Sequence, residues 1–218
     1  MKILAKINCR LGQPFGNPAP MYTNLGLKGH NGLDYPFPTG TLLECVIRGK
    51  VEFVGEDSAA GKGVYIISDL GDSAWRTIYW HLQSFNVKVG DIVEVGDILG
   101  ISDNTGMSTG PHLHFGLKPV KFNGTNYEDV NHDNNFRGAI DPFPYFTEVI
   151  YPPIKKGMMG CFVKQIQIYL NKVGYTLAVD EKFGKLTEQA VKDFQLKNGL
   201  KVDGIFGSLS MNKLLTYI

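Results

Sequence analysis

The chain has 218 residues, of which 43% are apolar and 20% are charged, and its formal net charge is +1. This length and composition are typical of a globular protein with one full domain and a small second one. No apolar run approaches the ~20 residues of a membrane-spanning helix, and three widely spaced cysteines argue against a disulfide framework and a thiolate zinc site.

Charge is distributed unevenly along the chain. Residues 1–150 carry 12 basic and 16 acidic side chains, whereas residues 151–218 carry 10 basic and 5 acidic ones. A basic C-terminal part favours an anionic polymer as a partner, although an ordinary solvated surface explains the charge equally well. The sequence contains no nucleic-acid-reading motif, so we expect no nucleic-acid partner.

The first candidate metal ligands follow residues 1–29, a stretch rich in glycine, proline and asparagine that predicts loops with one short strand. His30 and Asp34 stand four positions apart, with Gly29 and Gly32 beside them. A backbone that turns tightly at these glycines can bring both side chains onto one ion. The pair alone is a weak indication of a metal site.

A series of short β-strands is predicted between residues 41 and 102. Val, Ile, Tyr and Phe dominate five segments, and glycines separate them. The predicted strands are Thr41–Ile47, Lys50–Gly55, Gly63–Ser68, Arg76–His81 and Ile98–Ser102. Because no helical pattern intervenes, the series indicates an antiparallel sheet. Alternation along the fourth strand predicts that Tyr79 and His81 share one face.

The most informative stretch is Ser108-Thr-Gly-Pro-His-Leu-His-Phe-Gly-Leu117. Alternate residues of a strand face the same side, so His112 and His114 should share one face while the apolar residues between and after them face a core. Neutral imidazole is a common metal ligand and titrates near neutral pH. The pair can therefore offer one ring to a metal and keep the other for proton transfer.

Two loop-like segments follow. Asp129-Val-Asn-His132-Asp resembles the start of a calcium loop, but the glycine at the sixth position and the late glutamate are missing, so His132 is interpreted as a solvated loop residue. Residues 142–157 contain four prolines. This composition predicts a stiff linker, which we place at residues 146–157.

Beyond the linker, apolar residues recur at a helical spacing from position 162 onward. The segments Asp180–Thr187 and Asp203–Ser210 repeat one pattern with an offset of 23 positions. Thr187 and Ser210 are predicted to be helix N-caps. The pattern indicates a three-helix unit at residues 158–218.

Taken in chain order, the His-x-x-x-Asp pair, the Tyr79-Trp-His-Leu82 segment and the His-x-His stretch closely resemble the zinc endopeptidases of the lysostaphin-like family, peptidase family M23. Members of this family cleave bacterial cell-wall peptides. The resemblance covers Gly29 to Lys118, including the glycine-punctuated strands. It implies an α+β multidomain protein in which an antiparallel β-sheet catalytic domain with the family's groove, residues 1–145, precedes a small three-helix domain.

The resemblance also assigns the site residues. The residues that match its zinc ligands are His30, Asp34 and His114. His81 and His112 match its catalytic histidines, and Tyr79 matches a tyrosine that we give a supporting role. Two imidazoles and one carboxylate would bind Zn²⁺ and leave a fourth tetrahedral position for water. The sequence lacks the H-E-x-x-H motif of zinc peptidases that use a glutamate base.

The C-terminal unit resembles the type 1 peptidoglycan-binding domain through its Asp-x-x-Phe-Gly-x-Leu-Thr/Ser repeats, with a generic helical partner-binding module as the alternative. Together, the two resemblances imply a zinc endopeptidase anchored to its partner, bacterial peptidoglycan. We expect the protein to be a monomer. They leave open whether it cleaves D-Ala–diaminopimelate cross-links or glycine bridges. The alternatives of another class are a non-catalytic wall-binding or regulatory module and a virion structural protein.

The apolar stretch among the first ten residues is too short for a signal peptide. We therefore expect synthesis in the cytoplasm and action on the cell wall after release during phage lysis, or from the virion. This expectation corresponds to a phage or prophage endolysin.

Overall fold

The computed structural model describes residues 2–218, which form an open antiparallel sheet of nine strands followed by a small helical unit. The strands are β1 (Leu33–Tyr35), β2 (Leu42–Glu44), β3 (Gly49–Asp57), β4 (Gly61–Asp69), β5 (Ala74–Phe85), β6 (Ile92–Val93), β7 (Ile98–Ser102), β8 (Leu113–Phe122) and β9 (Tyr127–Asp129). Their main order is β1-β8-β5-β4-β3-β6, while β7 pairs with β2 and β5, and β9 pairs with β8. The predicted antiparallel sheet is confirmed.

The two faces of the central strands have different roles. On β8, the side chains of Leu113, Phe115 and Leu117 point into the hydrophobic core and are at most 2% exposed. The opposite face carries His114, which lies directly across from Trp80 on β5. This is the division that strand alternation predicts for the His-x-His stretch, and it leaves the histidine face free to form a site.

The segment before β1 contains a short helix that the sequence pattern did not predict. Helix α1 (Pro20–Asn24) has five residues and begins at a proline, whose fixed φ suits the first helical turn. Its buried residue, Tyr22, packs beside the ring of His30 with 5.4 Å between the ring centroids. A five-residue helix is too short to produce an apolar period in the sequence. Within residues 2–218, no helix is long and apolar enough to cross a membrane.

The C-terminal unit contains the three predicted helices, α2 (Cys161–Lys172), α3 (Lys185–Lys197) and α4 (Ser208–Leu214). The predicted N-caps are wrong, because the capping positions are Gly184 and Gly207. Thr187 and Ser210 are instead the third residues of their helices, and both are buried. Burial of these hydroxyls requires hydrogen-bond partners, and the repeated segments provide them.

Two glutamines provide the same contacts in the two repeats. Gln167 Nε2 donates to Asp180 Oδ1 at 2.7 Å, to the Lys182 carbonyl and to Thr187 Oγ1. Gln195 Nε2 makes the corresponding bonds, which go to Asp203 Oδ1 at 3.0 Å, the Ile205 carbonyl and Ser210 Oγ. The repeated sequence is therefore a structural unit in which a glutamine of the preceding helix fixes the turn before the next one.

The segment predicted as a linker is packed against both parts of the protein. Phe146, Val149 and Tyr151 are at most 4% exposed and belong to one hydrophobic core that continues from the sheet into the helices. The Val149 amide donates to Asn212 Oδ1 at 2.8 Å, and Ile154 forms a β-bridge with Phe206. The prolines thus lie in an ordered connection that fixes the helical unit on the sheet domain, rather than in a free spacer.

Candidate metal centre

Three side chains place their donor atoms in a nearly equilateral triangle. His30 Nε2 lies 3.0 Å from Asp34 Oδ1 and 3.0 Å from His114 Nδ1, and His114 Nδ1 lies 3.1 Å from Asp34 Oδ1. These residues are the one group of three or more His, Cys, Asp or Glu in residues 2–218 that could hold a metal ion. The structure therefore brings together the three residues predicted as ligands, whose role stays a prediction.

The pairing of β1 with β8 explains why residues 80 positions apart meet. Asp34 and His114 are direct partners in this antiparallel ladder, so their side chains lie on the same face. His30 lies in the turn before β1, and its Nδ1 lies 3.1 Å from the Pro14 carbonyl oxygen. Because a carbonyl oxygen only accepts, this bond places the proton on Nδ1 and leaves Nε2 free as a donor of electrons.

The other two histidines of the predicted site lie beside the triangle. The ring centroids of His81 and His112 are 4.5 Å apart, and His112 Nε2 lies 3.7 Å from Asp34 Oδ1. His81 Nδ1 contacts the Thr105 carbonyl oxygen at 2.7 Å, and His112 Nδ1 contacts the Gly110 carbonyl oxygen at 2.8 Å. Both rings are thus held with Nδ1 protonated and with the lone pair on Nε2.

His81 reaches this position through a β-bulge. In the β4–β5 ladder, Lys62 pairs with Leu82 and Gly63 pairs with Trp80, so His81 has no partner. Its φ is +68°, in the left-handed region that non-glycine residues rarely adopt. The bulge turns the ring onto the same face as His112 and His114, and such local strain is frequent at functional sites.

The bulge also overturns the prediction that Tyr79 and His81 share a face. Tyr79 is fully buried on the core side, packed edge-on against Phe115 with 5.3 Å between the ring centroids. Its hydroxyl oxygen accepts the Val46 amide hydrogen at 3.1 Å. Tyr79 therefore supports the sheet from behind and does not line the site.

Burial and the neighbouring charges set the protonation states. Burial lowers the pKa of His81 to about 4, and the hydrogen bond to the Thr105 carbonyl opposes this shift only in part. Burial also lowers the pKa of His114. For Asp34, burial acts to raise the pKa, but the charges and hydrogen bonds of His30 and His114 outweigh it and hold the pKa below its usual range. At neutral pH the rings of His81 and His114 are thus neutral, and Asp34 is ionised.

A groove with a volume of about 280 Å³ surrounds these residues. Tyr65, Ile78 and Trp80 from β4 and β5 line its floor, and α1 lies along one wall. Sequence reasoning did not identify this lining, nor the backbone carbonyls that hold the rings. The sequence could have indicated Trp80 as a lining residue, because it lies one position before His81 in the recognised motif. The β-bulge that puts Trp80 and His81 on one face is a tertiary feature, which the sequence does not show.

The residues fit a zinc ion. Two imidazole nitrogens and one carboxylate form a donor set of open catalytic zinc sites, and ligands of a tetrahedral zinc lie about 3.4 Å apart, close to the 3.0–3.1 Å sides of this triangle. A neutral imidazole at His114 and an ionised carboxylate at Asp34 are also the protonation states that metal binding requires. The triangle would hold the ion, while His81 and His112 stay free of it.

Comparison with known proteins agrees with this geometry. Residues 28–130 match the model of peptidase family M23. The structure is similar to the catalytic domain of lysostaphin from Staphylococcus simulans, with 32% sequence identity and a TM-score of 0.51 over 63% of this chain and 92% of that one. The chain belongs to peptidase family M23. Residues 160–214 match a putative peptidoglycan binding domain.

Two curated relatives extend this comparison. The glycyl-glycine endopeptidase ALE-1 of Staphylococcus capitis is 36% identical over 123 residues, which are 56% of this chain and 33% of that protein. The peptidoglycan DD-endopeptidase ShyB of Vibrio cholerae is 37% identical over 86 residues, which are 39% of this chain and 20% of that protein. The chain spans about a quarter of the length of the curated lysostaphins and a third of ALE-1.

Proposed function

We propose that this M23 protein is a zinc-dependent endopeptidase that hydrolyses peptide bonds in bacterial peptidoglycan. One observation carries the proposal. A triangle of ligand atoms from His30, Asp34 and His114 lies beside two rings whose Nε2 lone pairs are free. The relatives named glycyl-glycine endopeptidase and peptidoglycan DD-endopeptidase support the substrate class.

In the proposed hydrolysis, the zinc ion and the protein side chains have different roles. When bound, zinc supplies a water of lowered pKa, near 7, and polarises the scissile carbonyl. His81 and His112 are the groups that move protons. One Nε2 accepts the proton of the attacking water and returns it to the leaving amine. The other ring stabilises the oxyanion in its imidazolium form, in which Nε2 carries a proton taken up from solvent and donates it in a hydrogen bond to the oxyanion. The carbonyls of Thr105 and Gly110 keep both rings oriented for these roles.

The helical unit is proposed to hold the enzyme on its substrate. It matches a putative peptidoglycan binding domain, and residues 151–218 carry 10 basic and 5 acidic side chains. Wall attachment raises the effective concentration of substrate at the groove. A role as a phage or prophage endolysin, or as a virion protein, is proposed from the two-domain layout. The abundance of the chain in assembled particles distinguishes the two roles, because a virion protein should be abundant there.

Lysis of purified cell walls tests the proposed activity. We expect the turbidity of a wall suspension to fall with the zinc-loaded protein, to stay constant after chelation, and to fall again when zinc is restored. The His81→Ala variant is the control, because it should bind walls and zinc without lysis. Sedimentation with walls in the absence of any lysis would indicate the non-catalytic wall-binding module instead. Mass spectrometry of the fragments would identify the cleaved bond.

A further inference from the structure

Residues 103–112, which connect β7 to β8, supply both of the backbone carbonyls that hold the histidine rings beside the metal centre. The Thr105 carbonyl oxygen contacts His81 Nδ1 at 2.7 Å, and the Gly110 carbonyl oxygen contacts His112 Nδ1 at 2.8 Å. We name this segment the carbonyl loop. Because loops are more mobile than strands, the carbonyls can orient the rings only if contacts with the sheet fix the loop itself.

The Thr105 side chain provides such a contact at the β-bulge that carries His81. The Lys62 amide donates to Thr105 Oγ1 at 3.0 Å, and Thr105 Oγ1 donates to the Leu82 carbonyl oxygen at 2.9 Å. Lys62 and Leu82 are partners in the β4–β5 ladder, next to the position where His81 has no partner. The hydroxyl group therefore bridges a backbone donor of one strand and a backbone acceptor of the other, directly beside the bulge.

The backbone of the carbonyl loop is also packed against the turn between β3 and β4. A Cβ at Gly61, the first residue of β4, would fall 2.6 Å from the Thr105 carbonyl oxygen, so a side chain there would force the backbone to shift. The Met107 amide donates to the Ala59 carbonyl oxygen of the same turn at 2.7 Å. These contacts fix the loop around the carbonyl group that binds His81.

Thr105 thus holds His81 at two points. Its hydroxyl group supports the bulge in which His81 has a φ of +68°, and its carbonyl oxygen accepts the hydrogen bond of the ring. In a neutral imidazole, the bond made by one nitrogen decides which nitrogen carries the proton. Met107 and Ser108 line the groove, whereas Thr105 does not, so Thr105 can affect a ligand in the groove only through its neighbours.

We propose that Thr105 is the positioning residue of His81, and that its hydroxyl group determines where the ring lies and which nitrogen keeps the lone pair. The inference deepens the proposed function and rests on it for the role of His81 in proton transfer. Without the hydroxyl group, Lys62 and Leu82 lose their shared partner, so the bulge and the Thr105 carbonyl can move apart. The ring would then also adopt the tautomer with the proton on Nε2, which cannot accept a proton from water.

The Thr105→Val variant tests this proposal, because it keeps the shape of the side chain and removes the hydroxyl group. In the full chain at neutral pH, nitrogen NMR of the imidazole rings distinguishes a protonated from an unprotonated nitrogen, and the His81→Ala variant identifies the His81 signals. We expect a single His81 tautomer, with Nδ1 protonated, in the unchanged protein and a mixture of both tautomers in Thr105→Val. The His112 signals should not change, because that ring is held by the Gly110 carbonyl.

Wall lysis measures the consequence for catalysis. The maximal rate of Thr105→Val should fall about 10- to 100-fold, the size of effect expected for a small displacement of a catalytic group. The wall concentration at half-maximal rate should not change. Thr105→Ser keeps the hydroxyl group and should recover most of the rate and the single tautomer. Thr41→Val is the matched control, because the Thr41 hydroxyl also donates to a loop carbonyl, that of Pro38 at 2.7 Å, but holds no histidine.

The tautomer and the rate separate this inference from the proposed function. An unchanged His81 tautomer in Thr105→Val would overturn the inference even if the rate falls, and so would equal effects of Thr41→Val or no recovery in Thr105→Ser. A change in the His112 signals as well would overturn the assignment to His81, because it would show that the whole loop had moved. A protein that never lyses walls, but loses the single tautomer in Thr105→Val, would retain the positioning role and lose the peptidase proposal. Circular dichroism checks the fold of each variant, and Thr105→Ala makes the same test if Thr105→Val is unfolded.

Discussion

Gly32 lies directly against the imidazole ring of His114. A Cβ at position 32 would fall 2.6 Å from Cε1 and 2.7 Å from Nε2 of that ring, and 2.6 Å from the Phe115 carbonyl oxygen. The absence of a side chain at Gly32 therefore allows the ring to present Nδ1 to His30 and Asp34. Gly32, the second of the two glycines near the His-x-x-x-Asp pair, is therefore needed for the packing of the His114 ring as well as for the turn of the chain.

Gly32→Ala should therefore weaken zinc binding by about 10- to 100-fold, the range for groups that orient metal ligands. Competition with a chromophoric chelator measures the affinity. Gly110→Ala is the matched control, because residue 110 also lies at the site but its Cβ would meet nothing within 4 Å. Equal zinc affinities of the two variants would show that the contact with His114 is unimportant.

Substitution of a ligand and of a proton-transfer residue should have different effects. Asp34→Ala removes one corner of the triangle, so we expect the zinc content to fall well below one per chain. His81→Ala leaves the triangle intact, so zinc should remain while turnover falls about 10²- to 10⁴-fold. Atomic emission gives the zinc content and wall turbidity gives the rate. Full zinc occupancy in Asp34→Ala would refute the ligand assignment.

Tyr79→Phe tests the position of Tyr79 behind the sheet. The change leaves the buried amide of Val46 without its acceptor, which should lower the free energy of unfolding by about 1–3 kcal/mol. The rate of wall lysis below the unfolding transition should not change, because the hydroxyl does not reach the groove. A large loss of activity with unchanged stability would restore a direct role for this tyrosine.

The contact between Asp141 and α2 should make stability depend on pH. Burial raises the pKa of Asp141, and hydrogen bonds from Tyr169 and the Phe143 amide oppose this shift. A carboxyl whose pKa is raised on folding costs stability when ionised, so the free energy of unfolding falls as pH rises from the unfolded value, ~3.9, through the folded one. Tyr169→Phe removes one opposing bond and should steepen this fall.

Chemical denaturation of the full chain between pH 3 and pH 7 measures this effect. Asp141→Asn should abolish this contribution to the pH dependence. Tyr217→Phe, at an exposed tyrosine of the same unit, should leave it unchanged. The prediction fails if Tyr169→Phe and Tyr217→Phe have the same pH profile.

The sequence was informative where local rules decide the structure. Alternation correctly placed His112 and His114 opposite the core, and glycine spacing indicated the strands. The same rule failed for Tyr79 and His81, because a bulge at a non-glycine residue with positive φ leaves no sequence signal. Similarly, local rules predict caps at Thr187 and Ser210, because the glutamines that bond their hydroxyls, Gln167 and Gln195, lie 20 and 15 positions earlier in the chain.

The buried connection between the sheet and the helices has a consequence for the proposed cleavage of wall peptides. Because Phe146, Val149 and Tyr151 belong to one core, the helical unit that we propose to bind the wall and the groove around the histidines should keep a constant offset and angle. Such a protein cannot sweep an arc around its attachment point, as one on a loose tether does. Under the proposed function, each binding event would give access to the few bonds at that offset, and progress through the wall would require release and rebinding.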